Sequence, residues 1–188
     1  MKKLVHVRGA TCSGKSTTVF EYMKAHGITE RCIYQPERFK YTRGEREVVL
    51  GWYKEETSTK GGCDAYCLNG AQLKRVIKHF MTEDIDAIIF EGQLYGKTFS
   101  LAMELKALAE SAGWEYVPIS LEIPYVELIE RMLGRNGGQL KNEHNHYDSY
   151  RSAVQSTTNL IKAGVPVKVV DTSKIRQEDM HTIIESVL

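Results

Sequence analysis

The sequence contains no apolar run that approaches the roughly 20 residues a membrane-spanning helix requires. After residues 1–3, only a few apolar residues precede Arg8 and Gly9, which is too short a run for a secretory signal. We therefore expect a cytoplasmic protein whose first apolar residues form a strand. Internal repeats and low-complexity linkers are also lacking, and 188 residues of ordinary globular composition predict a single domain over residues 1–188.

Cysteine is scarce, and its spacing disfavours a metal site. The four cysteines are Cys12, Cys32, Cys63 and Cys67. In the absence of an export signal we expect reduced thiols. Cys63 and Cys67 lie four positions apart, with no second close pair of cysteines or histidines at zinc-finger spacing, so zinc is disfavoured.

An excess of one charge sign is also lacking, because the formal net charge is +1. This balance neither requires nor excludes a nucleic-acid partner. Basic residues do gather locally, at Arg38, Lys40, Arg43 and Arg46 and again at Lys74, Arg75 and Lys78. On charge alone, a solvated face is favoured over a binding surface.

Short apolar runs alternate with amphipathic segments along the chain. The runs predict strands at 4–7, 32–34, 47–53, 87–90, 116–123 and 167–170. Helices are predicted at 15–25, 70–82, 98–112, from Pro124 onward, at 150–163 and in the last segment before Leu188. Residues 134–147, rich in Gly, Asn and His, are predicted to form a mobile loop within a lid of about 132–148.

Strands that alternate with helices predict an α/β fold, a three-layer sandwich with a mostly parallel sheet. Ligands of such folds bind beyond the carboxyl ends of the strands. The motifs below fall at those ends.

The strongest signal is a glycine-rich turn between the first strand and the first helix. It spells G-x-x-x-x-G-K-S, through Gly9, Ala10, Thr11, Cys12, Ser13, Gly14, Lys15 and Ser16, and Thr17 follows. Backbone N–H groups of such a loop surround a phosphate, and the helix N-terminus adds the positive end of its dipole. We expect Lys15 to bridge the β- and γ-phosphates of ATP, and the Ser16 hydroxyl to be a ligand of Mg²⁺.

Carboxylates provide two further candidates. Glu91 ends an apolar strand, where it could join Ser16 as a magnesium ligand, orient an acceptor hydroxyl, or be an ordinary charged strand end. The usual residue at such a metal position is aspartate. Asp64, after two glycines and Cys63, could cap the following segment or act as general base toward the acceptor hydroxyl. The spacing does not separate these alternatives.

Arg131 and Arg135 lie four positions apart and so share one face of the helix that leads into the lid. Closed over the γ-phosphate, they could stabilise charge that develops during transfer. A pair of solvated arginines is the alternative. Asn142, His144 and His146 follow, and we favour polar lid residues over a metal site there.

Taken in order, these segments resemble small P-loop kinases of bacteriophages, including 5-hydroxymethyluracil DNA kinases. The Gly-Gly-Cys-Asp and Phe-Glu-Gly elements are the more distinctive parts of the similarity. The similar segments are 7–10 leading into 14–17, then 49–53, 61–64, 90–92, 129–136 and 164–171.

The resemblance implies ATP-dependent phosphorylation of a hydroxymethyl group on a modified pyrimidine in phage DNA, in the cytoplasm of an infected bacterium. It also implies that Asp64 is a substrate-side or catalytic residue. Two positions depart from the family pattern. Gly134 precedes Arg135 where adjacent arginines are usual, and Trp52 stands where arginine is usual.

The leading hypothesis is therefore a kinase with Lys15, Asp64, Arg131 and Arg135 as catalytic residues, and with ATP and Mg²⁺ bound at the loop. One alternative is a kinase of a free nucleoside, a nucleotide or another small hydroxyl compound, which would need the same loop and a closed acceptor pocket. Another is a regulatory ATPase that transfers phosphate only to water.

Overall fold

The structure of the chain is a computed structural model, which describes residues 1–53, 62–63, 69–140 and 143–188. Asp64, Cys67 and Asn142, singled out above, lie outside the described residues. Within them, no helix is both long enough and apolar enough to cross a bilayer.

Strands within the described ranges form a seven-stranded sheet in the order β2-β3-β4-β5-β1-β6-β7. Five neighbouring strands, from β4 to β7 in that order, are parallel, and β2 and β3 extend the sheet as antiparallel strands. The expected three-layer α/β fold with a mostly parallel sheet is thus confirmed. The strands are β1 (Lys3–Gly9), β2 (Glu30–Tyr34), β3 (Phe39–Arg43), β4 (Glu47–Leu50), β5 (Ala87–Glu91), β6 (Glu115–Glu122) and β7 (Lys168–Asp171).

Helices cover both faces of the sheet. They are α1 (Lys15–Ala25), α2 (Gly70–Phe80), α3 (Gln93–Gly96), α4 (Phe99–Ser111), α5 (Tyr125–Arg135), α6 (Glu143–Lys162) and α7 (Thr182–Glu185). On one face, α1 and α7 pack on apolar side chains of the central strands, including Val5, Val7 and Ile89. On the other face, α2, α4 and α6 enclose a second core that includes Leu4 and Ile88. Because the central strands are buried on both faces, they read as continuous apolar runs in the sequence.

Two of the sequence predictions are wrong. Residues 143–147 are helical instead of loop, because α6 begins at Glu143, and an ion pair between His144 and Asp148 spans its first turns. The last segment forms 3₁₀ turns and the short α7 in place of one helix. Near its start, the Asp171 side chain accepts a hydrogen bond from the Ser173 backbone, a local bond that competes with helix formation.

Strand β3 was missed altogether. Its burial pattern is irregular, with Phe39 and Thr42 buried and the residues between them half-buried, so it gives no clean alternation.

Strand β1 carries two polar side chains into the core beneath α4 and α6. His6 is fully buried, stacks on Phe90 at 4.2 Å between ring centroids, and places Nδ1 2.8 Å from the Tyr116 hydroxyl. Burial, together with the nearby Arg8 charge, holds the pKa of His6 well below its usual value. His6 is therefore neutral in the folded protein.

We expect the free energy of unfolding to fall in acid in a way that depends on His6. Because its folded pKa lies below the unfolded value of about 6.5, the unfolded chain binds the proton first, and stability is lost as the pH drops below that value. One pH unit below, the loss from this group approaches about 1.4 kcal/mol. The measurement is urea unfolding of wild type and His6→Asn at about pH 7.5 and about pH 5.5. Between these pH values, the free energy of unfolding should fall by about that amount more in wild type than in the variant. Equal losses in the two proteins would contradict this assignment.

Candidate functional site

The glycine-rich loop adopts backbone conformations that only particular residues tolerate. Gly9 has φ +141°, and a Cβ added there would lie 2.5 Å from the Leu121 carbonyl oxygen and from Ser13 Oγ. Cys12 has a left-handed φ of +62°, and Gly14, with φ +95°, precedes the first residue of α1. The Ser13 N–H donates to the Ala10 carbonyl and closes the turn. The loop thus packs directly against the end of β6.

Several donors of this loop are suited to an anion. Helix α1 begins without a side-chain cap, so the N–H groups of its first turn face the loop. Lys15 is only 6% exposed, and its Nζ donates to the Ala10 carbonyl at 2.7 Å, which folds the side chain back over the loop. The hydroxyls of Thr11 and Ser13 are buried and have no hydrogen-bond partner among the described residues. This arrangement fits a nucleotide phosphate group, as the motif predicts.

The two predicted magnesium ligands lie side by side. Parallel pairing of β1 with β5 places Val7 opposite Glu91, and the Ser16 hydroxyl donates to Glu91 Oε1 at 3.0 Å. A hydroxyl and a carboxylate are the hard oxygen ligands that Mg²⁺ accepts. No group of three or more His, Cys, Asp or Glu side chains arranged for a metal occurs in the part of the chain described. This donor set fits Mg²⁺ held by one carboxylate together with substrate phosphates.

A glycine contact fixes the Glu91 carboxylate from the other side. Gly62 has φ +125°, and a Cβ added there would lie 1.8 Å from Glu91 Oε1. Gly51 packs on Gly62 in turn, since a Cβ on Gly51 would lie 2.7 Å from the carbonyl carbon of Gly62. Cys63, the next residue, is buried in the apolar core. We did not predict this contact, although the unusual pair of glycines at 61–62 was its signal.

The predicted arginines lie together on α5 near the phosphate loop. Arg131 Nη2 donates to the Thr172 carbonyl at 3.1 Å, and Thr172 Oγ1 lies 3.1 Å from the carbonyl oxygen of Ser13. Burial raises the pKa of the Cys12 thiol, and the charges of Arg135, Lys15 and Arg131 oppose that shift. The charges of all three cations are therefore felt at one residue of the loop. Their catalytic role stays a prediction.

Helices α5 and α6 are anchored on the loop by a small apolar cluster. It comprises the buried residues Ala10, Ile123, Leu128, Met132 and Ala153. Of the expected polar lid residues, His144 is exposed and pairs with Asp148. The predicted lid is thus the end of α5, the start of α6 and the segment between them.

Most residues of the two basic clusters contact neighbouring side chains. Arg43 pairs with Glu83, and Arg46 pairs with Asp84 and Asp86. In the second cluster, Lys74 pairs with Glu104 and Arg75 with Glu37. Lys40 Nζ lies 4.5 Å from the ring centroid of Trp52. These contacts favour a solvated face over an open basic surface.

Comparison with known proteins supports the fold. No protein-family model matches the chain, and no curated protein is significantly similar in sequence. Among solved structures, the YorR protein from Bacillus subtilis in complex with phosphorylated GDP matches with a TM-score of 0.57 and 13% identity, over 98% of this chain and 94% of that one. The tunicamycin resistance protein of Deinococcus radiodurans matches with a TM-score of 0.55 and 13% identity, over 100% and 96% of the two chains. The chain therefore has a P-loop, nucleotide-kinase-like fold.

We expect Gly62→Ala to destabilise the protein through its clash with Glu91. Gly113→Ala is the matched control, because Gly113 also has positive φ, at +75°, but has no atom within 4 Å of an added Cβ. The strain common to both variants is about 1–2 kcal/mol, and Gly62→Ala should cost at least about 1 kcal/mol more in urea unfolding.

Removal of the Glu91 carboxylate should restore part of the additional stability that Gly62→Ala loses. In the Gly62→Ala background, Glu91→Ala should therefore be less destabilising than it is in wild type. Purely additive costs in this double-mutant cycle would contradict a direct contact between Gly62 and Glu91.

Proposed function

We propose that the protein is an ATP-dependent kinase that transfers the γ-phosphoryl group to a hydroxyl acceptor. The single observation that carries the proposal is the hydrogen bond between Ser16 of the phosphate loop and Glu91 at the end of β5. It joins a nucleotide site and a carboxylate suited to Mg²⁺ in one place. The nucleotide-kinase-like fold and the nearby arginines of α5 agree with it.

Phosphoryl transfer needs mainly positioning and compensation of charge. In the proposed mechanism, the loop N–H groups and Lys15 bind the β- and γ-phosphates, while Ser16 and Glu91 hold the metal. When bound, Mg²⁺ neutralises charge on the phosphate oxygens. Arg131 and Arg135 approach from α5 and stabilise the negative charge that develops on the transferred group. Asp64 accepts the proton of the attacking hydroxyl.

For the acceptor, we propose the 5-hydroxymethyl group of a modified pyrimidine in DNA. The support is the resemblance to phage 5-hydroxymethyluracil DNA kinases, above all the Gly-Gly-Cys-Asp element at 61–64 and the Phe-Glu-Gly element at 90–92. Gly62 and Glu91, one residue of each element, are in contact. This contact supports the proposal that the two elements serve a common site.

A second candidate is a small hydroxyl compound, such as a free nucleoside or nucleotide. It is favoured by the ion pairs and ring contact in the basic clusters, which leave less positive charge for a long DNA strand. It also agrees with the YorR structure, whose ligand is a phosphorylated GDP. For a DNA acceptor, binding should weaken steeply as salt rises, whereas a small acceptor should give a flat response.

We expect Lys15→Ala to abolish phosphoryl transfer in a folded protein, since the variant loses the cation that compensates the β- and γ-phosphates. Lys24→Ala, an exposed position on α1, is the control and should retain activity. The assay uses γ-labelled ATP with hydroxymethylated DNA, with free nucleosides and without acceptor. Normal activity of folded Lys15→Ala would overturn the proposal, and labelled phosphate released equally without any acceptor would indicate an ATPase instead.

We expect Asp64→Asn to lower kcat by about 10²–10⁴-fold, the usual contribution of a general base. Affinity for ATP should change little, because the substitution preserves size and removes only the proton acceptor. The measurement is kcat with the acceptor found above, alongside the Kd for ATP. An unchanged kcat would contradict the role as general base and favour the alternative, in which Asp64 caps the following segment.

A further inference from the structure

A groove of about 600 Å³ lies between the start of α4 and the middle of α6. Its lining includes Lys97, Phe99, Asp148, Arg151 and Gln155. The volume falls within the range of sites for small organic ligands, roughly 300–1,000 Å³. The proposed roles of Lys15, Ser16, Glu91 and the α5 arginines do not use this groove.

A buried cation lies against one wall of the groove. Arg8 is fully buried, and its Nη2 donates at 2.6 Å to the hydroxyl of Ser156, which lines the groove. Its Nε and Nη1 are buried and have no hydrogen-bond partner among the described residues. Burial lowers the pKa of Arg8, and the nearby Tyr116 hydroxyl offsets part of that shift. A buried guanidinium whose donors are incompletely satisfied costs stability, which makes Arg8 a candidate for a role besides packing.

The groove adjoins the phosphate loop. Arg8 directly precedes Gly9, the first residue of the loop. Gly96 at the end of α3 packs on both residues, since a Cβ added to it would lie 3.3 Å from the Gly9 nitrogen and 3.5 Å from the Arg8 Cα. Lys97 follows immediately. Through Gly96 and Lys97, one wall of the groove is therefore joined to the first residue of the loop.

The charges along the groove favour an anion. Lys97 and Arg151 line it, Arg8 lies behind its wall, and Asp148 is the carboxylate that opposes them. Asp148 Oδ2 lies 3.3 Å from Nε2 of His144, which is not part of the groove lining. Phe99 supplies an apolar ring on the same lining, a surface on which a nucleobase can stack.

We propose that this groove binds a phosphate group of the acceptor nucleotide, with Lys97 and Arg151 as direct ligands and Arg8 as the buried charge that supports them. The inference deepens the proposed function and rests on it, because it assigns the groove to the acceptor of that reaction. The phosphate belongs either to a DNA strand or to a free nucleotide. A nucleoside without phosphate would lack this contact.

The test is titration calorimetry of the full chain with three probes: oligothymidylate, thymidine 5′-monophosphate and thymidine. Each titration is made with and without a magnesium complex of a non-hydrolysable ATP analogue. We expect at least one phosphate-bearing probe to bind and thymidine to bind far more weakly. The Lys97→Gln/Arg151→Gln double variant should bind that probe about 10-fold to 100-fold more weakly, because it loses charge-assisted hydrogen bonds. Lys162→Gln, at the exposed far end of α6, is the control and should bind as wild type does.

Arg8→Met separates a binding role from a structural one. Replacement of a buried, incompletely paired charge by an apolar side chain of similar length should preserve or raise the unfolding temperature. The variant should nevertheless bind the phosphate-bearing probe about 10-fold more weakly than wild type does. Lower stability with unchanged probe affinity would assign Arg8 a structural role and overturn its part in the proposal.

The remaining outcomes are distinguishable. Equal affinity of the double variant and wild type, or equal binding of thymidine and its monophosphate, overturns the phosphate site. If the ATP analogue binds and neither phosphate-bearing probe does, this inference fails while the kinase proposal stands. If the ATP analogue itself does not bind, the kinase proposal fails. Tighter binding of oligothymidylate than of the mononucleotide would identify a DNA strand as the source of the phosphate.

Discussion

The parallel pairing of β1 with β5 is the constraint on which the site depends. Its register sets Val7 opposite Glu91, so that the loop leaving β1 and the carboxylate ending β5 emerge at the same edge of the sheet. A slip of one residue would turn Glu91 to the opposite face and separate it from Ser16. Buried apolar side chains on both faces of both strands hold the register. The packing of Gly62 on Glu91 then leaves little freedom for the carboxylate.

The same strand carries polar side chains where the fold alone would favour apolar ones. His6 and Arg8 lie on the face of β1 that packs under α4 and α6, and each has ring or guanidinium nitrogens with no partner in the described ranges. Such groups cost free energy on burial. Arg8 directly precedes the phosphate loop, His6 lies two positions before Arg8, and Ser156 links Arg8 to the wall of the groove. Arg8 thus places a charge, at a cost in stability, at the edge of the sheet where chemistry is proposed.

Much of this architecture could be predicted from the sequence, because strong local patterns determine it. The apolar runs of β1 and β5, the glycine-rich loop and the spacing of Arg131 and Arg135 are each encoded within a few residues. The short hairpin of β2 and β3 and the helical start of α6 depend on tertiary contacts, such as the packing of Tyr147 against Tyr125, which periodicity does not reveal. The first predicted strand ends at Val7, and only the sheet pairing and the contact with α6 make Arg8, the next residue, a buried cation. The contact between Gly62 and Glu91 joins residues far apart in sequence, so the pair of glycines at 61–62 indicates a close approach without showing which residue is approached.

The central claim is that Ser16, Glu91 and the loop bind a nucleotide together with a metal. Calorimetric titration of the folded wild-type protein with ATP, in the presence of Mg²⁺ and again in the presence of a chelator, tests it most directly. The predicted result is saturable binding that is tighter with Mg²⁺ and selective for the triphosphate over the nucleoside. Absence of any binding at millimolar nucleotide, with or without the metal, would contradict the claim.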